Sequence, residues 1–183
     1  MFQQTDEKLI AKALKGNKAA WLKLVKRYEK LVYNYALRMV SDPDDALDLM
    51  QDTFLAVFRN LSSFRGESAF KSWMLKIAHY RCIEFYRRKR PTVALDESPE
   101  AYNEDAQDCP EMTMMSNQQG DQLLGYMAQL PVNQRAVIEM KFFQFLTFDD
   151  IADKLGISTN TVKSRLYAGL AKMKQVMEVA NAC

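Results

Sequence analysis

Residues 148–166 read FDDIADKLGISTNTVKSRL, and this stretch decides the architecture of the carboxyl-terminal part of the chain. The pattern predicts two short helices joined by a tight turn at Gly156, because glycine tolerates the positive φ with which many helices end. Ser158 or Thr159 can cap the second helix. The arrangement is typical of a helix-turn-helix, in which the second helix enters the major groove of DNA.

The second helix of this motif has one apolar side and one polar side. Ile157, Val162 and Leu166 suit an apolar seam with the first helix, and Gly169 weakens the helix by about 1 kcal/mol relative to Ala. No acidic residue occurs from 159 to 174, as suits a surface that faces phosphates. A helical hairpin in an ordinary all-α core is the alternative interpretation. The predicted contacts with duplex DNA are Thr159, Asn160, Thr161, Lys163, Ser164, Arg165 and Tyr167.

Charge is segregated along the chain, although the net charge is only +2. Residues 1–90 hold 18 basic and 10 acidic residues, residues 91–120 hold no basic and 7 acidic residues, and the remainder holds 7 basic and 6 acidic residues. Three prolines interrupt the acidic stretch, and its apolar residues follow no sustained period. The chain is therefore predicted to form a helical domain over 1–90, a flexible acidic linker over 91–117 and a second helical domain over 118–183.

Composition excludes several classes of protein. No apolar run reaches the roughly 18 residues that a membrane span needs, and the first residues lack the basic-then-apolar form of a secretory signal, so a cytoplasmic location is expected. Cys82, Cys109 and Cys183 are far apart and His79 is the only histidine, which favours neither a disulfide scaffold nor a metal site. Without a glycine-rich phosphate loop or a nucleophile paired with histidine, we expect no enzyme activity, no cofactor and no small-molecule substrate.

Residues 1–90 show helical periodicity throughout and no strand alternation, so the fold class is predicted to be all-α. Thr5, Asn17 and the pair Asp42-Pro43 mark the starts of three helices. The third helix should run to about Asn60 and bury Ala46, Leu47, Met50, Phe54, Val57 and Phe58. Its opposite face, either simply solvated or a docking surface, consists of Asp44, Asp45, Asp48, Gln51, Asp52 and Thr53.

A fourth predicted helix, residues 68–90, interleaves basic and aromatic side chains. Phe70, Met74, Ile77 and the stem of Arg81 suit a buried flank, so some of the aromatic residues belong to the core. The others could present ring faces to unstacked bases and cations to their phosphates. This combination is typical of proteins that hold single-stranded nucleic acid.

Three motifs in this order resemble those of bacterial sigma factors of the extracytoplasmic function group. They read DLMQDTF at 48–54, FRGESAFKSWMLKIA at 64–78 and LPVNQR at 130–135, ahead of the helix-turn-helix, and the resemblance covers nearly the whole chain. It implies two helical domains that bind core RNA polymerase, through its β′ clamp and β subunit, and promoter DNA. An anti-sigma factor is a further expected partner, and the acidic linker would either mimic nucleic acid in the polymerase cleft or serve as a tether.

The resemblance also assigns sites residue by residue. The residues that it implies for polymerase binding are Asp45, Asp48, Leu49, Gln51, Asp52 and Phe54. Those implied for the promoter's minus-ten element are Phe64, Arg65, Lys71, Trp73, Lys76, Tyr80, Arg81, Arg87 and Arg88. The helix from Thr159 would read the minus-thirty-five element. A dimeric helix-turn-helix regulator is the main alternative, and it predicts tight binding to a palindrome by the protein alone; a purely structural helical adaptor is another.

Overall fold

A computed structural model of the chain describes residues 5–89 and 117–181. These described residues contain eight α-helices and no strand, which confirms the all-α prediction. The chain divides into two compact units, Met1–Phe85 and Tyr86–Cys183. Apart from Asn117, the predicted acidic linker lies outside the described residues, so its boundaries stay a prediction.

The amino-terminal unit is built from helices whose starts follow local capping chemistry. The side chain of Asn17 accepts a hydrogen bond from the Ala20 amide at 2.9 Å, and the Asp42 carboxylate accepts from the amides of Asp44 and Asp45, so two of the three predicted N-caps are confirmed. Thr5 directly precedes the first helix as predicted, but its side chain makes no capping hydrogen bond. The elements are α1 (Asp6–Leu14), α2 (Lys18–Val40), α3 (Pro43–Asn60), a 3-10 turn (Leu61–Ser63) and α4 (Phe70–Lys89), whose last four residues belong to the second unit.

The core of this unit lies where α2 packs against α1 and α3. Leu9, Leu24, Tyr35, Met39 and Val57 are all buried there. Burying such large apolar side chains stabilises the unit by roughly 1.5–3 kcal/mol each. The long helix α2 therefore serves as the frame on which α1 and α3 are held.

The buried side of α3 differs from the predicted one. Leu47 is 43% exposed and Phe58 is 53% exposed, so both were wrongly assigned to the core. Thr53 was wrongly assigned to the exposed polar face, because it is only 1% exposed. Its hydroxyl donates to the Leu49 carbonyl at 2.7 Å, which satisfies the polar group and permits its burial.

Helix α4 begins at Phe70, two residues later than predicted. Its buried side holds Phe70 and Met74 as predicted, whereas Ile77 and Arg81 are only half-buried. Leu75, Ala78, His79 and Cys82 complete that side. The imidazole of His79 lies 3.2 Å from the Tyr35 hydroxyl, so the chain's only histidine is a hydrogen-bonded core residue.

The carboxyl-terminal unit contains α5 (Asn117–Ala128), α6 (Val132–Ile138), a π-helical turn (Glu139–Phe143), α7 (Phe148–Leu155) and α8 (Thr159–Asn181). Its core consists of side chains from all four helices, including Met127, Val137, Ile138, Ile151, Val162, Leu166 and Met173. The apolar seam predicted for the helix-turn-helix is confirmed at Val162 and Leu166, which are 0% and 3% exposed.

Arg135 and Gly169 fix the approach of α6 to its neighbours. The Arg135 guanidinium is buried and donates from Nη2 to the carbonyls of Ala128 and Leu130, at 2.8 and 3.1 Å, which ties the end of α5 to α6. A Cβ at Gly169 would lie 2.9 Å from Ile138 Cδ1. The glycine in α8 is thus a close-packing position against α6.

Candidate polymerase-binding and nucleic-acid surfaces

The acidic face predicted on α3 is present, with changes. Asp48, Gln51 and Asp52 are exposed, and Asp45 is half-buried. Leu49 and Phe54, which were also predicted to contact polymerase, are 5% and 9% exposed and lie on the core side. In this conformation they support the face from behind, and the side chains available to a partner are the carboxylates and the amide.

An apolar strip borders these polar groups. Leu55 is 54% exposed and, with Leu47 and Phe58, recurs at spacings of eight and three residues along the same side of α3 as Asp48 and Gln51. Helical periodicity alone assigned Leu47 and Phe58 to the core and left Leu55 unassigned. Large apolar side chains that remain exposed next to charged ones are typical of protein interfaces.

A groove runs beside this strip, between α3 and the α1–α2 corner. The Trp21 ring packs edge-on against Phe54, at a centroid distance of 6.3 Å, and tilted against Phe58, at 5.1 Å. The groove encloses about 640 Å³ and is otherwise lined by residues that include Val25, Met50 and the base of Lys18. It is large enough to receive apolar side chains of a helix.

The loop before α4 is held by aromatic packing. Phe64 contacts Phe70 at 5.4 Å and Trp73 at 5.3 Å between ring centroids, and Gly66 takes φ 74° in the loop. Phe70 is buried, whereas Phe64 and Trp73 are half-buried. Phe64 and Trp73, both among the predicted minus-ten contacts, therefore lie together at the edge of the core.

The exposed side of α4 carries the basic residues predicted from the sequence. Arg65 in the loop and Lys71, Lys76, Arg87 and Arg88 on the helix are exposed. Tyr80 is 54% exposed and lies beside the buried His79 at a ring distance of 5.9 Å. Arg81 forms an ion pair with Glu84 at 2.8 Å. Among the basic residues predicted to contact the minus-ten element, it is therefore the least available to a phosphate.

A polar cluster supports this aromatic group from α1. The Asp6 carboxylate accepts hydrogen bonds from Arg27 and from the Tyr28 hydroxyl, and the Tyr28 ring packs edge-on against Phe70 at 5.7 Å. Burial, followed by the hydrogen bond to Asp6, raises the pKa of Tyr28 well above its usual value. Tyr28 stays a neutral donor, and α1 is linked through it to the base of the predicted minus-ten surface.

The first helix of the helix-turn-helix begins with a reciprocal cap. The Thr147 hydroxyl accepts from the Asp150 amide at 3.1 Å, and the Asp150 carboxylate accepts from the Thr147 amide at 3.1 Å, which is a capping box. The Thr147 hydroxyl also donates to the Asp150 carboxylate at 2.6 Å. This bond, followed by the one from the Thr147 amide, lowers the pKa of Asp150. Gly156 ends the helix at φ 67°, as predicted, and Ser158 caps α8 by accepting from the Thr161 amide at 3.1 Å.

The predicted duplex-reading residues occupy the first turns of α8. Asn160 is exposed, and Thr161 and Lys163 are half-buried. The hydroxyl of Thr159 donates to Asp149 on α7 at 3.0 Å, so this residue also joins the two helices. Ser164, Arg165 and Tyr167 are half-buried and engage neighbouring groups of the protein.

Two lysines converge on one aromatic ring next to this helix. Lys141 Nζ lies 4.5 Å and Lys163 Nζ 5.7 Å from the centroid of the Phe148 ring. Because both ammonium groups lie over the same ring, Lys141 of the π-helical turn is close to Lys163 of α8. Sequence patterns did not indicate Lys141, because it lies outside the helix-turn-helix and is brought there by the turn.

Within the described parts of the chain, no cluster of histidine, cysteine or acidic side chains is arranged to hold a metal ion. None of the helices described is both long and apolar enough to cross a membrane.

Comparison with known proteins gives consistent matches over both units. The family model "Sigma-70 region 2" matches residues 24–92, and "Sigma-70, region 4" matches residues 120–173. The ECF RNA polymerase sigma-E factor of Haemophilus influenzae is 31% identical over 173 residues, covering 90% of this chain and 91% of the relative. The ECF RNA polymerase sigma factor SigW of Bacillus subtilis is 27% identical, with 92% of this chain and 95% of the relative covered.

Two solved structures share the fold. CnrH in complex with the cytosolic domain of CnrY superposes with a TM-score of 0.65 at 22% identity, covering 95% of this chain and 97% of CnrH. The sigma factor RpoE from Bartonella quintana, solved with the anti-sigma factor NepR, superposes with a TM-score of 0.64 at 20% identity, covering 86% of this chain and 96% of that chain. The chain therefore belongs to the extracytoplasmic function group of RNA polymerase sigma factors, which act in transcription initiation.

Proposed function

We propose that the exposed face of α3 is the surface with which this sigma factor binds core RNA polymerase. The observation that carries the proposal is that Leu47, Leu55 and Phe58 are exposed alongside Asp48 and Gln51 on one side of one helix. An apolar strip flanked by carboxylates suits a partner helix that has apolar anchors and basic neighbours. The β′ clamp coiled coil, the site implied by resemblance, is the partner that we propose for it.

The strip has the anatomy of an interface with a small number of dominant contacts. Phe58 and Trp21 form an aromatic wall beside the groove, and aromatic residues are frequent among interface residues that contribute most to affinity. The carboxylates at Asp48 and Asp52 lie at the rim, where charge mainly steers association. The apolar strip should therefore contribute most of the affinity and the acidic rim should steer association, and a reversed charge in the rim would repel the partner.

We further propose that the surface formed by the Phe64 loop and α4 captures the non-template strand of the minus-ten element. Flipping a base out of the duplex costs a few kcal/mol, and stacking on an aromatic ring returns about 1–3 kcal/mol. Tyr80 is 54% exposed, whereas Phe64 and Trp73 are half-buried, so Tyr80 is the predicted minus-ten ring best placed for stacking. Lys71, Lys76 and Arg65 supply the phosphate contacts that contribute the remainder.

For the minus-thirty-five element, we propose that α8 reads duplex DNA through the side chains at its amino-terminal end. Asn160 is the exposed side chain best suited to base edges, since an amide can both donate and accept. Lys163 and Arg165 would add phosphate contacts. The double variant Lys163→Ala with Arg165→Ala should weaken duplex binding with a shallower salt dependence, and an unchanged rate of initiation would contradict this assignment.

Regulation and location follow the family. One structural relative was solved with an anti-sigma factor, and we propose that this chain too is held inactive by such a partner. Because core RNA polymerase is cytoplasmic, we propose the same compartment for this chain. We propose no catalytic role for its own residues, which is consistent with the family's role as initiation factors.

The proposal is tested by reconstituting transcription from purified components. Core RNA polymerase with the full chain should produce runoff transcripts from defined sites in a genomic fragment library, and core alone should not. The variant Asp48→Lys with Gln51→Ala should lose co-elution with core on gel filtration while remaining folded. Glu29→Lys, a charge reversal at an exposed position of α2, is the matched control and should co-elute normally. If both variants lost co-elution with core polymerase, a specific site on α3 would be contradicted.

The dimeric helix-turn-helix regulator remains the alternative to test directly. It would bind a palindromic duplex tightly without polymerase. Both units match sigma-factor regions, which favours the polymerase subunit. Titration of the free chain and of its complex with core on one recovered promoter fragment separates the two, since only a sigma factor should need core for high affinity.

A further inference from the structure

Phe145 is an outlier in the turn that precedes α7. Its backbone takes φ 55°, a left-handed conformation that a bulky side chain rarely adopts. Its phenyl ring is 86% exposed, the largest value among the exposed large hydrophobic residues of the described parts of the chain. The turn thus carries backbone strain and leaves an apolar ring in water, and neither feature stabilises the fold.

The turn is nevertheless firmly held. The Leu146 amide donates to the Met140 carbonyl at 3.2 Å, and the Gln144 amide to the Glu139 carbonyl at 3.3 Å. Lys141 Nζ donates to the Leu146 carbonyl at 3.2 Å. Mobility therefore does not account for the exposure of Phe145. A strained residue that the surrounding structure fixes in place is a reason to look for a function.

Two lysines lie between the turn and α8. Lys141, anchored to the turn, and Lys163, on α8, both lie over the Phe148 ring. Glu139 in the turn is buried, and the exposed carboxylates of Asp149 and Asp150 accept hydrogen bonds from the Thr159 hydroxyl and the Thr147 amide within the helix-turn-helix. The two ammonium groups between the turn and α8 suit an anionic partner that contacts both.

We propose that Phe145 packs against the sugar-phosphate backbone of duplex DNA beside the bases that α8 reads, with Lys141 taking an adjacent phosphate. The inference rests on the proposed duplex-binding function of α8. Deoxyribose presents an apolar edge between charged phosphates, which matches a phenyl ring next to an ammonium group. Such a contact carries no sequence information and positions the recognition helix on the duplex.

Site-specific photocrosslinking tests the identity of the partner. Phe145 is replaced with p-benzoylphenylalanine, which keeps an aromatic ring at this position, in the full chain assembled with core polymerase on a labelled duplex of mixed sequence. A crosslink to DNA is expected. A crosslink to a polymerase subunit, or no crosslink from a complex that retains the duplex, would overturn the proposal. Failure of the wild-type holoenzyme to bind any duplex would instead contradict the proposed function.

The variant Phe145→Gly separates a binding role from a structural one. Glycine adopts the left-handed backbone without strain, so the melting temperature of the carboxyl-terminal unit should rise by roughly 2–4 °C. The affinity of the holoenzyme for duplex should fall by about fivefold, as expected when a partly buried ring is lost from an interface. Unchanged affinity would refute the contact, and a lower melting temperature would show that the ring serves the fold.

Two controls match the two changes made by this variant. Ser41→Gly replaces the other non-glycine residue with positive φ in the described chain, at φ 64° in the amino-terminal unit, and should leave duplex affinity unchanged. Met177→Ala removes another exposed apolar side chain from the carboxyl-terminal unit, 42% exposed on α8, and should also leave it unchanged. If either control also lost affinity for duplex DNA, the effect of Phe145→Gly would be due to a general change of surface or backbone and not to a contact of the Phe145 ring.

Discussion

Replacing Gly169 with Ala should destabilise the carboxyl-terminal unit, although helix propensity predicts the opposite. In an exposed helix the change is worth about 1 kcal/mol in favour of Ala. At Gly169 the new Cβ would lie 2.9 Å from Ile138 Cδ1 and 3.3 Å from Gln134 Cβ. Ile138 is buried, and overpacking a core costs typically 1–3 kcal/mol, so we expect a net loss of about 1 kcal/mol.

A second substitution tests whether Ile138 is the cause. Ile138→Val removes the Cδ1 atom that the new Cβ would meet and by itself costs roughly 0.5–1.5 kcal/mol. In that background Gly169→Ala should become neutral or stabilising. The coupling energy of the double-mutant cycle should therefore reach at least about 1 kcal/mol.

The assay must report on the carboxyl-terminal unit alone. Calorimetry or circular dichroism follows the unfolding of both helical units. Both tryptophans, Trp21 and Trp73, lie in the amino-terminal unit, so tryptophan fluorescence identifies the transition of that unit, and the remaining transition belongs to the carboxyl-terminal one. Gly125→Ala, in α5 with open space around the added Cβ, is the matched control and should stabilise by about 1 kcal/mol. If Gly169→Ala stabilises the unit as much as the control, the close packing of α8 on α6 is refuted.

Three further outcomes are expected. Phe58→Ala should cost about 1 kcal/mol of stability, because the ring is 53% exposed but packs against Trp21, and should weaken core-polymerase binding about tenfold in a fluorescence titration; unchanged affinity would exclude Phe58 from the interface. Tyr28→Phe removes the hydroxyl donated to Asp6 and should cost about 1 kcal/mol in urea unfolding followed by tryptophan fluorescence. Hydrogen bonds from Thr147 lower the pKa of Asp150 from its ordinary value of 3.8. The ionised carboxylate therefore stabilises the carboxyl-terminal unit above that pH, and this contribution to stability is lost as the pH falls through the lower folded pKa. Asp150→Asn should make the melting temperature of the carboxyl-terminal unit less sensitive to pH in that acidic range.

Helix ends were predictable because they depend on local chemistry. Asn17 and Asp42 cap helices with side chains that neighbouring amides can reach, and Gly156 supplies the positive φ at the turn. Each of these signals lies within a few residues of the position that it determines. Local patterns of this kind gave the all-α class and the helix-turn-helix.

The burial of side chains on α3 was less predictable because it depends on where α2 lies. Thr53 is buried because its hydroxyl bonds to the backbone of its own helix, and Leu47 and Phe58 are exposed because α2 covers the other side. The polarity of a residue alone does not show which side of its helix faces a neighbouring helix. The residues of the proposed interface that the sequence pattern missed are therefore the apolar ones, whereas Asp48 and Gln51 were placed correctly on the surface.

Features that arise from the tertiary structure could not be predicted at all. The π-helical turn brings Lys141 to the Phe148 ring, and the strained conformation of Phe145 depends on the same turn. Nothing in the spacing of apolar residues signals either. The assignment of individual residues to polymerase and DNA remains a prediction that rests on exposure, charge and family membership.

Permanganate footprinting tests the central claim, that the amino-terminal unit melts the promoter while bound to polymerase. On a promoter fragment recovered by runoff transcription, non-template thymines of the minus-ten region should become reactive only when core polymerase and the full chain are both present. Tyr80→Ala with Lys76→Ala should abolish that reactivity while co-elution with core is retained. Reactive thymines with the variant at the wild-type level, or an unreactive promoter with the wild-type complex, would contradict the account.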